Sequence, residues 1–259
     1  MSPLHVAAHD RTGRGRRRAA ASVTMTHKIY LLHGVGMWPG LFRSVAARFE
    51  HVHVVAGRPG YGGAPPVDDL DGQTTAVAEL IAACGPGVVV GVSGGATVAL
   101  AVAIAGVPGV EATVTHEPLV GPLVPALHDR VAAAGTALTV DPSPERIDAF
   151  LCGLYGDEWR SLPIAAREWV VDHRSTISRE VAQFATFAPS DADLAGVAIP
   201  HLTTVGRRSG PERHEVASLL AGYGARSAVI EAAGHLAVVE NSGGFASAVR
   251  SFFRQAGVR

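Results

Sequence analysis

The residues Gly91-Val92-Ser93-Gly94-Gly95 form a G-x-S-x-G pentad, entered from an apolar run at 87–92 and left through Ala96-Thr97-Val98-Ala99-Leu100-Ala101. A short run of valines predicts a buried strand, and the Ala/Leu/Val run behind it predicts a helix. A serine on such a sharp strand-to-helix turn is pushed into a strained, exposed position with its hydroxyl above the sheet edge. Glycines are needed on either side, because a side chain there would clash with strand or helix. In a chain with 30 glycines the pentad alone carries little weight; its strand-turn-helix context raises it.

The same alternation runs outward from the pentad. Apolar runs at 29–32, 52–56, 88–92, 111–116, 202–205 and 227–231 predict strands. Helical spacing is found at 41–49, 73–84, 94–105, 212–220 and 244–255; Val77, Leu80, Ile81 and Cys84 illustrate it. Strands alternating with helices predict an α/β fold, a mostly parallel sheet with helices on both faces. Residues 118–197 break the pattern, with helical signals only, at 122–134, 144–155 and 165–187. An insertion of this kind between two strands predicts a helical cap over the strand ends, where open α/β sheets bind their ligands. The expected organisation is a core of residues 25–117 and 198–259, a cap at 118–197, and a disordered basic tail at 1–24. That tail carries Arg11, Arg14, Arg16, Arg17 and Arg18 against Asp10, and is expected to be dispensable, with Met25 as an alternative start.

Composition narrows the function classes. The chain has 259 residues, 47% of them hydrophobic and 17% charged, enough apolar material for a large core. Its net charge of −1 gives no bulk basic field for nucleic acid. Cys84 and Cys152 form no metal-ligand spacing and read as free thiols in a reducing compartment. No uncharged stretch of 18 apolar residues predicts a membrane span, and no secretory signal is apparent, so a cytoplasmic location is expected. A competing reading is a dinucleotide-binding enzyme: Gly34-Val35-Gly36…Gly40 loosely matches a phosphate-binding turn, and Arg58 suits a 2′-phosphate. Against it, no acid follows the second strand for the ribose, and Trp38 and Pro39 would crowd the pyrophosphate.

Four landmarks in order resemble the α/β-hydrolase superfamily, of the small bacterial kind with a helical cap. His33-Gly34-Val35-Gly36 resembles its HGxG turn, Arg58-Pro59-Gly60-Tyr61-Gly62 its RPGYG loop, the pentad its nucleophile elbow, and Ala233-Gly234-His235 the position of its histidine. Phe150, Trp159, Leu162-Pro163 and Phe184 resemble its caps, and the likeness spans about residues 27–255. It implies the α/β-hydrolase fold, Ser93 as nucleophile, and His235 as the base that takes the hydroxyl proton and later returns it to the leaving group. It also implies an oxyanion hole from the Val35 and Gly94 amides, with His33 buttressing its own turn. No cofactor and no metal are implied.

The acid departs from the pattern. The family places an aspartate after the next-to-last strand, but the loop here reads Gly206-Arg207-Arg208-Ser209-Gly210-Pro211. A serine there would hydrogen-bond the imidazole without stabilising its positive charge. Glu212 and Glu215 read as first-turn residues of the next helix. The best replacement is Glu117, at the end of the strand before the insertion, a place where some α/β-hydrolases carry their acid. Met37, Trp38, Trp159, Trp169 and His173 are candidate pocket residues. The expected activity is serine-type hydrolysis of an uncharged, hydrophobic ester or lactone-like small molecule. The missing aspartate keeps open a non-hydrolytic member of the fold, binding a ligand or catalysing cyclisation or elimination. The sequence leaves the oligomeric state open.

Overall fold

The computed structural model describes residues 28–49, 52–55 and 58–258; the basic tail at 1–24 and the alternative start at Met25 lie outside them. Six strands form one sheet: β1 (Lys28–Leu32), β2 (Val52–Val55), β3 (Gly87–Val92), β4 (Val110–His116), β5 (His201–Gly206) and β6 (Arg226–Ile230), in the order β2-β1-β3-β4-β5-β6. Every pairing is parallel, the geometry expected of strands joined by helical crossovers. The chain moves from β1 to β2 in one direction and from β3 through β6 in the other. Right-handed crossovers then put helices on both faces. Accordingly α1 (Arg43–Ala46) packs with α12 (Ser242–Ala256), and α2 (Leu70–Cys84) packs with α3 (Gly94–Ile104).

The centre of the sheet is apolar on both sides. Every residue of β3 is buried, and α3 is buried almost all round, as expected of a helix with no polar face. Beyond β4 the chain leaves the sheet for six helices: α4 (Pro125–Val140), α5 (Pro144–Tyr155), α6 (Asp157–Ser161), α7 (Ile164–Asp172), α8 (Arg174–Ala185) and α9 (Asp191–Ala195). It returns in β5, followed by α10 (Pro211–Gly222), β6, α11 (Ala237–Glu240) and α12. The insertion is more finely divided than its apolar periodicity suggests. The single helix expected over 165–187 breaks at His173, whose Nδ1 lies 2.7 Å from the Trp169 carbonyl, a side chain competing for a helix carbonyl. Likewise the helix expected over 41–49 is a 3-10 turn at Pro39–Phe42 followed by the single turn of α1.

β3 and β1 are the neighbours from which the chain departs in opposite directions, so a crevice opens at their carboxyl ends. The pentad sits at this switch point.

Candidate active site

The turn from β3 into α3 is as tight as the glycines suggest. A Cβ on Gly91 would collide with the Gly95 carbonyl, and one on Gly95 with the Leu32 carbonyl and, at 2.5 Å, the His33 carbonyl. Between them Ser93 takes φ 55° and ψ −122°. This region is costly for a side-chain-bearing residue, on the order of 1–3 kcal/mol, and persists where the surroundings over-determine it. Here its N–H donates to the His116 carbonyl at 2.8 Å, and its own carbonyl accepts from Ala96 and Thr97 at 2.8 and 3.0 Å. The turn at 33–36 abuts it: a Cβ on Gly34 would lie 2.9 Å from the Ser93 Cβ.

Residues far apart in sequence meet at this serine. His235 Nε2 lies 2.9 Å from Ser93 Oγ, and His235 Nδ1 lies 2.5 Å from Glu117 Oε2. Ser93, His235 and Glu117 are 7%, 9% and 1% exposed. An ionised carboxylate has no proton to give, so Nδ1 carries the hydrogen and Nε2 presents its lone pair to the serine hydroxyl. Glu117 itself has φ 54°, so two of the three non-glycine residues with positive φ among those described are in this chain of hydrogen bonds.

The carboxylate sits in a cage of donors. Its Oε1 accepts from the Gly206 amide at 2.9 Å and from the Ser209 hydroxyl at 2.5 Å. Arg213 donates to the Glu117 carbonyl at 3.0 Å, and its Nε stands 3.7 Å from Oε2. Burial alone would raise the acid's pKa, but the His116 and His235 imidazoles and the Arg213 cation outweigh it and hold the carboxyl well below its usual range. For His235, burial and then the Arg213 cation lower the pKa to about 4 against the opposing pull of Glu117, so the imidazole is neutral at pH 7. A neutral imidazole between a buried carboxylate and a serine hydroxyl can take the hydroxyl proton.

Ser209 is therefore on the carboxylate, not on the imidazole as the sequence suggested. Arg213 and Glu240 escaped sequence reading altogether. Glu240 accepts from the amides of Gly234 and Leu236, at 2.8 and 3.1 Å, and so brackets His235; it also pairs with Arg208. A signal for Arg213 existed: a cation in the first turn of a helix opposes the macrodipole and calls for a local partner.

Around the serine, Gly94 opens α3, and the first amides of a helix have no intrahelical acceptor. A Cβ on Gly94 would lie 2.8 Å from Val35 Cγ2, so the two residues face each other. His33 Nδ1 lies 2.9 Å from the Gly34 carbonyl within its own turn, and its ring meets Tyr61 edge-on. The insertion covers this corner. Phe184 of α8 packs on Gly94, and Tyr155 of α5 donates to the Val35 carbonyl at 2.8 Å with its ring 5.6 Å from that of His235.

A cavity of about 600 Å³ opens beside His235 between insertion and core. Leu127, Val131, Phe150 and Leu154 line it with apolar surface, and Arg130, Glu158, Arg208, Glu212, Arg213 and Glu240 line it with charge. None of the five residues expected to line a pocket borders this cavity. Met37 is buried, with its sulfur 3.3 Å from the Gly34 amide, and the Trp38 ring covers Gly40. Trp159 donates to Asp148 at 2.7 Å, and Trp169 and His173 stack on each other and on Tyr61. These five aromatic and sulfur-bearing side chains pack elsewhere, whereas Phe150, named for its likeness to the family's caps, does border the cavity. Arg58, the candidate 2′-phosphate ligand, is 1% exposed and paired with Glu180 at 2.6 Å. No group of His, Cys, Asp and Glu able to hold a metal ion occurs among the described residues. No helix among them is long and apolar enough to cross a membrane.

A sequence model of the alpha/beta hydrolase family matches residues 29–248. No curated protein matches the chain by sequence. Among solved structures, MenH from S. aureus is 17% identical at a TM-score of 0.73, covering 92% of this chain and 97% of its own. A thermophilic esterase from Thermogutta terrifontis is 18% identical at 0.71, covering 90% and 91%. The enol-lactonase from Burkholderia xenovorans LB400 is 18% identical at 0.67, covering 93% and 94%. At such identities the likenesses speak for the fold, and the match over residues 29–248 for the lineage: the chain belongs to the alpha/beta hydrolase family.

Proposed function

We propose that this protein is a serine hydrolase acting on an uncharged, hydrophobic ester or lactone-like small molecule. Ser93 attacks the carbonyl carbon as its proton passes to His235 Nε2. Glu117 holds the imidazole in the required tautomer and stabilises the imidazolium that forms. The carbonyl oxygen, now negative, is held by the amides of Gly94 and Val35. His235 then returns the proton to the departing alkoxide, leaving an acyl-enzyme. Water attacks this acyl-enzyme by the same route in reverse, restoring Ser93 and releasing the acid. The helices at 118–197 act as a cap whose apolar wall takes the hydrophobic part of the substrate.

The observation that carries this reading is the continuous hydrogen-bonded chain from Ser93 through His235 to Glu117. The test is turnover of p-nitrophenyl acetate and butyrate by wild type, Ser93→Ala and Glu117→Gln. Loss to background in the first variant, and a fall of about 10³–10⁴-fold in the second, are expected. Turnover by Ser93→Ala equal to wild type removes the nucleophile; a loss below about threefold in Glu117→Gln removes the acid. The esterase and lactonase among the structural neighbours are in keeping with an acyl-transfer substrate.

A further inference from the structure

We infer that the cavity beside His235 receives the alcohol part of the substrate, and that the preferred esters join a short acid to a bulky, apolar, uncharged alcohol. The inference deepens the reading of the site as a serine hydrolase and rests on it. It follows from how a tetrahedral centre sits at Ser93. The carbon bound to Ser93 Oγ carries three other groups. Its oxyanion points to the Gly94 and Val35 amides. Its alkoxy oxygen lies beside His235 Nε2, because that nitrogen hands over the proton with which it leaves as the alcohol. The acyl chain takes the direction that remains.

Space is shared unequally between these directions. The cavity of about 600 Å³ is bordered by His235, Glu117 and Gly234, but not by Ser93, Gly94 or Val35. It therefore lies on the imidazole side, past the alkoxy oxygen, and its volume is that of a small-molecule pocket. Around the serine itself the structure is closed. A Cβ on Gly94 would collide with the Phe184 ring, and one on Gly34 would lie 2.7 Å from Met37 Sδ and 2.9 Å from Ser93 Cβ. The Tyr155 hydroxyl reaches the Val35 carbonyl at 2.8 Å. Phe184, Met37 and Tyr155 are all buried. The hollow that Phe184 shares with Leu119, Val120 and Val131 is too small for a water molecule, so the ring has no space to withdraw into there. An acyl chain longer than acetyl runs into these side chains, whereas a large group on the alkoxy oxygen enters the cavity.

The lining sets the chemistry of that group. Leu127, Val131, Phe150 and Leu154 offer apolar surface. Each arginine on the lining already faces a carboxylate: Arg130 faces Glu212 at 2.6 Å, Arg208 faces Glu158 at 3.2 Å, and Arg213 faces Glu117 at 3.7 Å. A charged alcohol finds no free counter-charge there, while a neutral apolar one fills the cavity and leaves these pairs intact.

The test is a pair of ester series on the full chain, with Ser93→Ala as background. One series lengthens the alcohol, from phenyl through p-ethylphenyl to p-butylphenyl acetate. Alkyl groups barely alter the basicity of the phenol, so this series reports binding and not leaving-group chemistry. The other lengthens the acid, from phenyl acetate through butyrate to hexanoate. Each buried methylene is worth about fourfold, so kcat/KM is expected to rise about tenfold or more along the first series. Along the second it is expected to fall about tenfold or more, because the added methylenes overpack a closed corner. Two variants localise the effect through ratios of substrates. Gly153 borders the cavity and a Cβ there meets nothing within 4 Å, so Gly153→Phe is built without a clash. It should lower the ratio of p-butylphenyl to phenyl acetate about threefold or more by occupying cavity space. Phe184→Ala should raise the ratio of hexanoate to acetate about fivefold or more by opening the acyl side. A wild-type kcat/KM that rises with acyl length, or p-butylphenyl acetate no better than phenyl acetate, overturns the assignment of the cavity. Either result leaves the hydrolase reading standing as long as Ser93→Ala loses the activity. Turnover of no ester in either series above Ser93→Ala also overturns the inference, and the hydrolase reading falls with it if a fluorophosphonate fails to label Ser93.

Discussion

Glu180 offers the sharpest test of how the helical insertion supports the candidate site. This carboxylate lies on α8 and is 1% exposed. It forms an ion pair with Arg58 at 2.6 Å and accepts from the Tyr61 hydroxyl at 2.6 Å and from Gln73 at 3.4 Å. The Tyr61 hydroxyl in turn accepts from the Gly36 amide at 3.3 Å, on the turn that carries Val35. Replacing Glu180 by leucine leaves the Arg58 cation buried without its counter-charge. Breaking one side of a buried pair costs about 3–5 kcal/mol. A chain of this length loses about 2 °C in Tm per kcal/mol, so a fall of roughly 6–10 °C is expected by calorimetry or thermal circular dichroism. Replacing both partners, Arg58→Leu with Glu180→Leu, removes the unpaired charge and should restore most of the lost Tm. The fluorophosphonate labelling rate should fall in the single variant and stay low in the double, because Tyr61 still lacks its acceptor and the 33–36 turn loosens. A single variant within 1 °C of wild type, or a double as unstable as the single, would refute the argument that this pair is a desolvated ion pair.

Three further outcomes follow. His235 must be neutral to act as base, and its pKa is lowered to about 4, so the acid limb of kcat/KM should lie near pH 4; a limb near 6.5 would contradict the burial argument. The same depression makes the fold acid-labile: His201 and His235 both titrate near 4 when folded, and near 6.5 when unfolded, so the unfolded chain binds their protons first and stability falls as pH drops through that window, by up to about 3 kcal/mol each. Denaturant midpoints between pH 7 and pH 4 check this. Tyr155→Ala should raise turnover of bulky esters relative to p-nitrophenyl acetate, since it removes the ring stacked on His235, whereas Tyr155→Phe keeps the ring and loses only the bond to Val35; an unchanged ester preference in Tyr155→Ala would show that the ring does not restrict access.

The sheet was legible because the strands of a parallel sheet are buried on both faces and read as plain apolar runs. β3, with the sequence Gly-Val-Val-Val-Gly-Val, and the all-apolar α3 leave no other reading. Ser93 and His235 were legible because each follows a strand at a glycine-marked turn. Glu117 was singled out through the resemblance, as a strand end where some α/β-hydrolases carry their acid, and its carboxylate does meet His235. What could not be read was the tertiary proximity that gathers Ser209, Arg213 and Glu240 around Glu117 and His235; only Arg213, a cation in the first turn of a helix, signalled a local partner, without saying which. Glu180 is an intermediate case. Ile177, Val181 and Phe184 mark the buried stripe of α8, and Glu180 falls on it, a carboxylate where an apolar residue belongs. That mismatch signals a buried partner without saying which. The aromatic residues misled because size and hydrophobicity predict burial, not the face of the molecule on which burial occurs.

In the proposed mechanism the acid stands at the end of β4, which changes what must be held still. Ser93 and Glu117 end adjacent strands, and the register pairs Val92 with His116 immediately before them. The bond from the Ser93 amide to the His116 carbonyl ties Ser93 to the strand that carries Glu117, so of the three hydrogen-bonded residues only His235 is brought in by a loop. The arrangement carries an opposing hazard, because the insertion begins directly after Glu117 at Pro118 and any movement of its helices pulls on the acid. Anchors on both sides counter this. The Glu117 amide donates to the Thr204 carbonyl at 3.1 Å, Arg213 holds the Glu117 carbonyl, and the Leu119 amide donates to Thr97 Oγ1 at 3.0 Å on α3. Glu117 and Leu119 are thereby fastened to the core by three hydrogen bonds, to β5, α10 and α3, at the point where the chain enters the insertion.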